Sequence, residues 1–188
     1  MTNQDTANQK SALREQILQA RADEKPGHFC EDAHDETLVL WLADNGYRKI
    51  AAYIAMEDEP NTELLLEVCT EVGIEVLVPR VAGERLEWVR FDWDDLEVGA
   101  FGIPEPQGEA VPLNVEAMII PALAASHDGV RLGRGKGFYD RALKTVGENI
   151  PVVALVHDGE LFEELPSEEH DRGVTWVSTC SALLEVES

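Results

Sequence analysis

Apolar positions in the chain change period several times, and each change predicts an element. From Gln9 to Ala22, Leu13, Ile17 and Ala20 recur at helical spacing among good helix formers, which predicts a first helix. Pro26 to Glu36 reads as a break, and Thr37 to Asp44 as a second helix ending at Asn45-Gly46. Short apolar runs then alternate with helical patterns: strand Lys49 to Ala55, helix Thr62 to Val72 with Leu65, Val68 and Cys69 inward, and strand Glu75 to Val78, halted by Pro79. Leu86 to Phe91 alternates like a half-buried strand, with Trp88 and Phe91 expected on a core or half-buried face and Trp93 just beyond. Ala117 to Ile120 looks fully buried. Phe138 to Val146 reads as a helix, and Pro151 to Val156 and Val174 to Ser178 as strands. This alternation predicts an α/β layered fold with a mainly parallel sheet, whose ligands collect on loops at the carboxyl ends of the strands.

No internal repeat or Pro/Gly/Ser-rich linker divides the 188 residues, so one domain over 1–188 is expected, with 44% hydrophobic residues to build its core. Charge-free stretches such as Ala117 to His127 are shorter than the roughly 18–20 residues of a membrane span, and the start MTNQDTANQK lacks a signal-peptide apolar region. Three widely spaced cysteines, Cys30, Cys69 and Cys180, suggest neither a disulfide framework nor a metal site, and a reducing cytoplasm is expected. With 15 basic against 37 acidic side chains the net charge is −22, which opposes nucleic-acid binding through phosphates. Any polyanionic ligand therefore needs a local island of positive charge.

Arg131-Leu132-Gly133-Arg134-Gly135-Lys136-Gly137-Phe138-Tyr139-Asp140-Arg141 supplies one, with three of the 15 basic residues between Arg131 and Lys136. Alternate glycines let backbone N–H groups approach a phosphate, and a helix start follows. The spacing is neither a P-loop nor a dinucleotide fingerprint. Nucleoside triphosphates arrive with Mg²⁺, which takes one or two carboxylates; Asp140 is one candidate, and Asp171, in the run Glu168-Glu169-His170-Asp171, is another, although that run also reads as a solvated turn. In Glu57-Asp58-Glu59-Pro60-Asn61-Thr62, Asn61 or Thr62 can cap the following helix, and a carboxylate can instead accept hydrogen bonds from substrate amino groups. Lys10 and Arg14 share one helix face and, taken alone, read as surface charges.

Together these pieces resemble the 5-formyltetrahydrofolate cyclo-ligase family, also called methenyltetrahydrofolate synthetase. The likeness runs from Lys10 to about Thr179: Lys10-x-x-Leu13-Arg14; Glu59-x-x-Thr62; Val78-Pro79-Arg80; Gly99-x-Phe101-Gly102-Ile103-x-Glu105-Pro106; Pro121 with Gly129-x-Arg131 and the glycine segment; and His170-Asp171. The resemblance implies a three-layer α/β/α sandwich similar to the sugar-phosphate isomerase and CoA-transferase-like folds. It implies ATP- and Mg²⁺-dependent conversion of 5-formyltetrahydrofolate to 5,10-methenyltetrahydrofolate, with release of ADP and phosphate, through a phosphorylated formyl group. By the same resemblance Lys10, Arg14 and the run Arg131, Leu132, Gly133, Arg134, Gly135, Lys136, Gly137, Phe138 and Tyr139 contact ATP, and Arg134 to Phe138 also face the folate. Ile54 and Glu59 line the pterin pocket, Asp140 and Asp171 hold Mg²⁺, and Arg134, Lys136 and Tyr139 are the catalytic candidates. A cytoplasmic monomer, without nucleic-acid or membrane partners, is expected. The family's Pro-Gly-Leu-x-Phe-Asp is here Pro121-Ala122-Leu123-Ala124-Ala125-Ser126, and Phe138 replaces a frequent Tyr. The first change keeps a second reading open, a non-catalytic folate- or nucleotide-binding relative, and an ATP-dependent enzyme of another formyl or amide substrate is a third.

Overall fold

The structure is a computed structural model that describes residues 3–23, 33–99, 102, 104–147, 149–168 and 171–186. Two helices, α1 (Asn3–Asp23) and α2 (Ala33–Asp44), lead to β1 (Lys49–Ala51), α3 (Glu63–Glu71), and the hairpin of β2 (Glu75–Ala82) and β3 (Arg85–Arg90). The short strands β4 (Leu96–Val98), β5 (Pro104–Pro106) and β6 (Ala110–Val111) precede the central β7 (Ala117–Pro121). There follow β8 (Ala124–Ser126), β9 (Arg131–Leu132), α4 (Phe138–Leu143), β10 (Val152–Leu155), β11 (Leu161–Phe162), β12 (Trp176–Ser178) and β13 (Leu183–Glu185).

The main sheet has eight strands in the order β13-β12-β10-β7-β1-β2-β3-β6. Its five central strands are parallel, whereas β13, β3 and β6 join antiparallel at the two edges, so the sheet is mixed with a parallel centre. The middle strands AMIIP and VVAL are apolar throughout because both of their faces are covered. Alternation along β7 sends Ile119 to one face, where Leu38, Leu42, Leu65 and Leu66 of α2 and α3 pack, and Met118 and Ile120 to the other, beneath Leu143 of α4. Helices thus lie on both faces. Separate small sheets, β11-β8-β9 and β4-β5, stand beside the main one.

Several elements differ from their expected bounds. The β2 strand continues through Pro79 to Ala82. The Ala52 N–H donates to the Leu77 carbonyl and the Phe91 N–H to the Val76 carbonyl, so odd-numbered positions of β2 face β1. The ladder with β1 stops at Leu77, and Pro79 therefore lacks its N–H where no strand needs it. β1 itself ends at Ala51 rather than Ala55. In α1 the buried positions are Thr6, Lys10, Ile17 and Arg21, while Ala20, which shares the helical spacing of Ile17, is exposed. Cys69 is buried with a free thiol, and Cys30 lies outside the described residues. The expected break at Pro26 to Glu36 overlaps residues 24–32, and Phe101, Ile103 and His170 also lie outside the described residues. No described helix is long and apolar enough to cross a membrane.

Candidate functional site

A cavity of about 510 Å³ opens where β1 and β7 end, and its wall includes Lys10, Arg14, Ile54, Glu59, every residue from Arg131 to Asp140, and Asp171. Every residue singled out as a site candidate therefore meets in one place. The elements explain why. The α1 helix brings Lys10 and Arg14 one turn apart on a single face, the segment after β1 brings Ile54 and Glu59, and the β9-to-α4 loop supplies the glycine run. In that loop Gly135 (φ 88°) and Gly137 (φ 66°) sit in the left-handed region, and Gly137 forms the N-cap of α4. A Cβ on Gly137 would lie 2.8 Å from Nη1 of Arg141. Gly137→Ala is expected to cost about 1–2 kcal/mol of stability and to lower the melting temperature; an unchanged melt would show that the loop relaxes freely.

Ion pairs cross the cavity. Lys10, only 5% exposed, donates from Nζ to Glu168 Oε2 (2.8 Å) and Asp171 Oδ2 (2.5 Å). Burial works against its charge, but these two carboxylates outweigh it and raise its pKa. The Arg14 Nε donates to the Gly133 carbonyl at 2.8 Å and so pins the glycine loop to α1. Arg134 donates to Asp58 Oδ1 at 2.6 Å and to Glu59 Oε1 at 3.1 Å. Arg131 pairs with Asp140 through Nη2, and its Nε is buried with no hydrogen-bond partner among the described residues. An orphaned N–H of a guanidinium in the wall of a cavity is a position that an anionic oxygen would satisfy. Lys136 is exposed, forms no ion pair among the described residues, and its carbonyl accepts from Arg141 Nη2 at 2.9 Å.

Glu59 is buried, and burial raises its pKa against the opposing Met56 N–H bond and the Arg134 charge. Burial, with the Glu59 charge, holds the Tyr139 phenol far above its usual value despite nearby Arg131, so it stays a hydroxyl. The acidic turn is thus divided in its work. The Asn61 Oδ1 accepts from the Glu63 N–H at the start of α3, the Thr62 hydroxyl donates to the Tyr53 carbonyl instead of capping the helix, and Asp58 and Glu59 hold Arg134.

Asp140 and Asp171 both line the cavity and are partly exposed. No group of three or more His, Cys, Asp and Glu gathers among the described residues to cage a metal. Asp140 beside the anion-seeking Arg131, with Asp171 beside Lys10 in the same wall, is a donor set that suits an ion such as Mg²⁺, which completes its shell with water and phosphate oxygens. Glu168, Glu105, Tyr53 and Met56 also line the wall and were not anticipated. Glu168 stood in the acidic run that drew attention to Asp171, and only the Lys10 ion pair distinguishes it. In the divergent segment, Ala122 reaches the cavity, whereas Ala124 to Ser126 are fully buried in β8, behind β9. That change therefore falls on the loop's support.

The model of the 5-formyltetrahydrofolate cyclo-ligase family matches residues 6–180. A 5-formyltetrahydrofolate cyclo-ligase of Mycolicibacterium smegmatis is 34% identical over 90% of this chain and 93% of its own length. One from Escherichia coli K12 is 32% identical over 72% and 80%. The NMR structure of the 5,10-methenyltetrahydrofolate synthetase of Aquifex aeolicus superposes with a TM-score of 0.83 at 29% identity, covering 95% of this chain and 93% of that one. A 5,10-methenyltetrahydrofolate synthetase from Mycoplasma pneumoniae, at 22% identity, shares the fold with a TM-score of 0.72, over 89% and 96%.

Proposed function

Because the chain belongs to the 5-formyltetrahydrofolate cyclo-ligase family, we propose that it converts 5-formyltetrahydrofolate to 5,10-methenyltetrahydrofolate with hydrolysis of ATP to ADP and phosphate in the presence of Mg²⁺. The observation that carries this reading is the convergence of five of the 15 basic side chains, Lys10, Arg14, Arg131, Arg134 and Lys136, on one cavity of a chain with net charge −22. The proposal includes a single catalytic unit spanning 1–188, a three-layer sandwich of the isomerase and CoA-transferase-like kind, a monomeric state and a cytoplasmic location. Helices on both faces of the sheet support the layered description.

In this reading the formyl oxygen attacks the γ-phosphorus of ATP, the bond to the bridging oxygen breaks, and ADP leaves. The anilino nitrogen then attacks the activated carbon and loses its proton, and phosphate departs with the former formyl oxygen. The protein's part is positioning and charge stabilisation. Lys10, Arg14 and Arg131 bind phosphate oxygens, with the unpartnered Nε of Arg131 as a ready donor. The loop from Leu132 to Gly137 offers its backbone N–H groups. Arg134 and Lys136 neutralise the transferring group, and Tyr139, kept protonated, donates a hydrogen bond to it. Asp140 and Asp171 would hold Mg²⁺, which offsets charge on the phosphates when bound. Glu59 accepts hydrogen bonds from the pterin ring, against which Ile54 and Phe138 pack.

Glu59 makes the binding pH-dependent. Its raised pKa means that the carboxylate is lost, as pH falls, above the usual range for a glutamate. Affinity for the pterin is expected to fall through that window. Stability has the opposite sign: the folded state holds this proton more tightly, so the group's contribution to stability declines as pH rises from the ordinary to the raised value. Binding measured against pH should show the step in the wild type and none in Glu59→Gln; a step retained in the variant assigns it to another group.

The reaction is tested by mixing protein, 5-formyltetrahydrofolate, ATP and Mg²⁺ and following the near-ultraviolet absorbance of the methenyl product, with ATP omitted as control. ATP-dependent growth of the band supports the reading. A flat trace from folded protein overturns it in favour of a binding relative or another substrate.

A further inference from the structure

Arg21 lies outside the cavity wall and is only 4% exposed, and its hydrogen bonds reach Glu160, the carbonyl of Asp58 beside the wall residue Glu59, and the carbonyl of the wall residue Ala122. Its Nε donates to Glu160 Oε1 at 2.6 Å and its Nη2 to Glu160 Oε2 at 2.7 Å, a two-pronged pair. Nη2 also donates to the Ala122 carbonyl at 2.9 Å, and Nη1 to the Asp58 carbonyl at 2.9 Å. Glu160 in turn accepts from the His157 N–H at 2.9 Å, which fixes the turn after β10. One guanidinium therefore joins α1 to the segments that follow β1, β7 and β10.

A buried ion pair adds little stability beyond what apolar residues of the same volume provide, so stability alone is a poor reason for burying this one. Position is a better reason. Arg21 stands two helical turns from Arg14 and three from Lys10, on the helix that carries both. At its other end it grips the carbonyl of Asp58, and the carboxylates of Asp58 and Glu59 hold Arg134. Lys10 and Arg14 have further anchors of their own, at Glu168, Asp171 and Gly133; the Asp58–Glu59 turn is braced within itself by the Glu59–Met56, Tyr53–Pro60 and Thr62–Tyr53 hydrogen bonds, and Arg21 ties it to α1.

We propose that Arg21, clamped by Glu160, is a positioning residue that sets the Asp58–Glu59 turn, and with it the pterin end of the site, relative to the phosphate-binding helix. This rests on the folate reading above. Losing the clamp weakens folate binding most, while ATP binding, which rests on Lys10, Arg14 and Arg131 with anchors outside this turn, persists.

The test titrates wild type, R21K and R21M/E160M with 5-formyltetrahydrofolate and, separately, with ATP and Mg²⁺, by calorimetry alongside thermal melting. The double variant removes both buried charges together, so the fold is expected to survive. It should bind ATP within about threefold of wild type and 5-formyltetrahydrofolate at least about tenfold more weakly, on the scale of one lost charged hydrogen bond. R21K keeps an ion pair with Glu160 but cannot reach both carbonyls, and should fall between. If R21M/E160M fails to fold, R21K alone carries the same comparison. Folded variants that bind both ligands like wild type, or that lose both equally, overturn the proposal and leave the function standing. Wild type that binds neither ligand overturns the folate reading and this inference with it.

Discussion

Replacing Lys136 with methionine is expected to lower turnover on the order of 10²- to 10³-fold while leaving the melting temperature within a degree or two, by analogy with removal of one oxyanion-stabilising donor. The other four cations of the cavity are already engaged: Lys10, Arg131 and Arg134 with carboxylates, and Arg14 with a loop carbonyl. Removing any of those alters the folded structure as well as the chemistry. Lys136 is exposed and outside these pairs, so its ammonium can meet a phosphate without giving up a partner, and its loss leaves no charge stranded. Steady-state kinetics together with a thermal melt separate the two effects. Turnover within threefold of wild type would remove Lys136 from the transition state.

Asp140→Asn should act twice. The Arg131 side chain is 4% exposed, and an asparagine leaves its buried charge without an opposite one, at a cost of about 1–3 kcal/mol in stability. The discount from a fully buried pair reflects the one-third exposure of Asp140 itself. The second effect is on the metal: with one carboxylate gone, the Mg²⁺ concentration needed for half-maximal activity should rise at least about tenfold, roughly one charged ligand's contribution. A magnesium titration of activity measures this, and the melt measures the first effect. Wild-type behaviour in the titration would remove Asp140 from the metal site whatever the melt shows.

How much of this was legible in the sequence depended on the range of each interaction. The segment from Arg131 to Asp140 was readable because its glycines, cations and carboxylate are contiguous and act within one loop. The central strands Ala117–Pro121 and Val152–Leu155 were readable because burial on both faces leaves an uninterrupted apolar run. By contrast, α1 resisted a hydropathy reading because its buried stripe includes Lys10 and Arg21, whose partners Asp171 and Glu160 lie 161 and 139 residues away. Periodicity sees polarity there and assigns surface. Seven strands of two or three residues, β4, β5, β6, β8, β9, β11 and β13, are too short to show a period by themselves, whereas flanking apolar residues exposed the equally short β1 and β12, and Pro79 read as a stop because its ladder partner ends elsewhere. Lys10 and Arg14 were found through resemblance alone, since two cations a turn apart are ordinary on a helix.

The stretch of β2 beyond Leu77 has a mechanical consequence. From Val78 to Ala82 it is laddered on one side only, to β3, and this overhanging hairpin supplies Pro79, Val81 and Leu86 to the cavity wall. Its props are side chains: Arg80 reaches the carbonyls of Pro106 and Gly108, and the Glu105 carboxylate takes the Val81 N–H. The cavity thus has two jaws. One is bolted into the parallel sheet, and the other is a ribbon braced along β3 by β6 and at its turn by the Arg141 Nε, which donates to the Glu84 carbonyl at 2.8 Å. The same guanidinium donates to the Lys136 carbonyl of the glycine loop at 2.9 Å, so the ribbon side and the phosphate side of the cavity are yoked through one arginine.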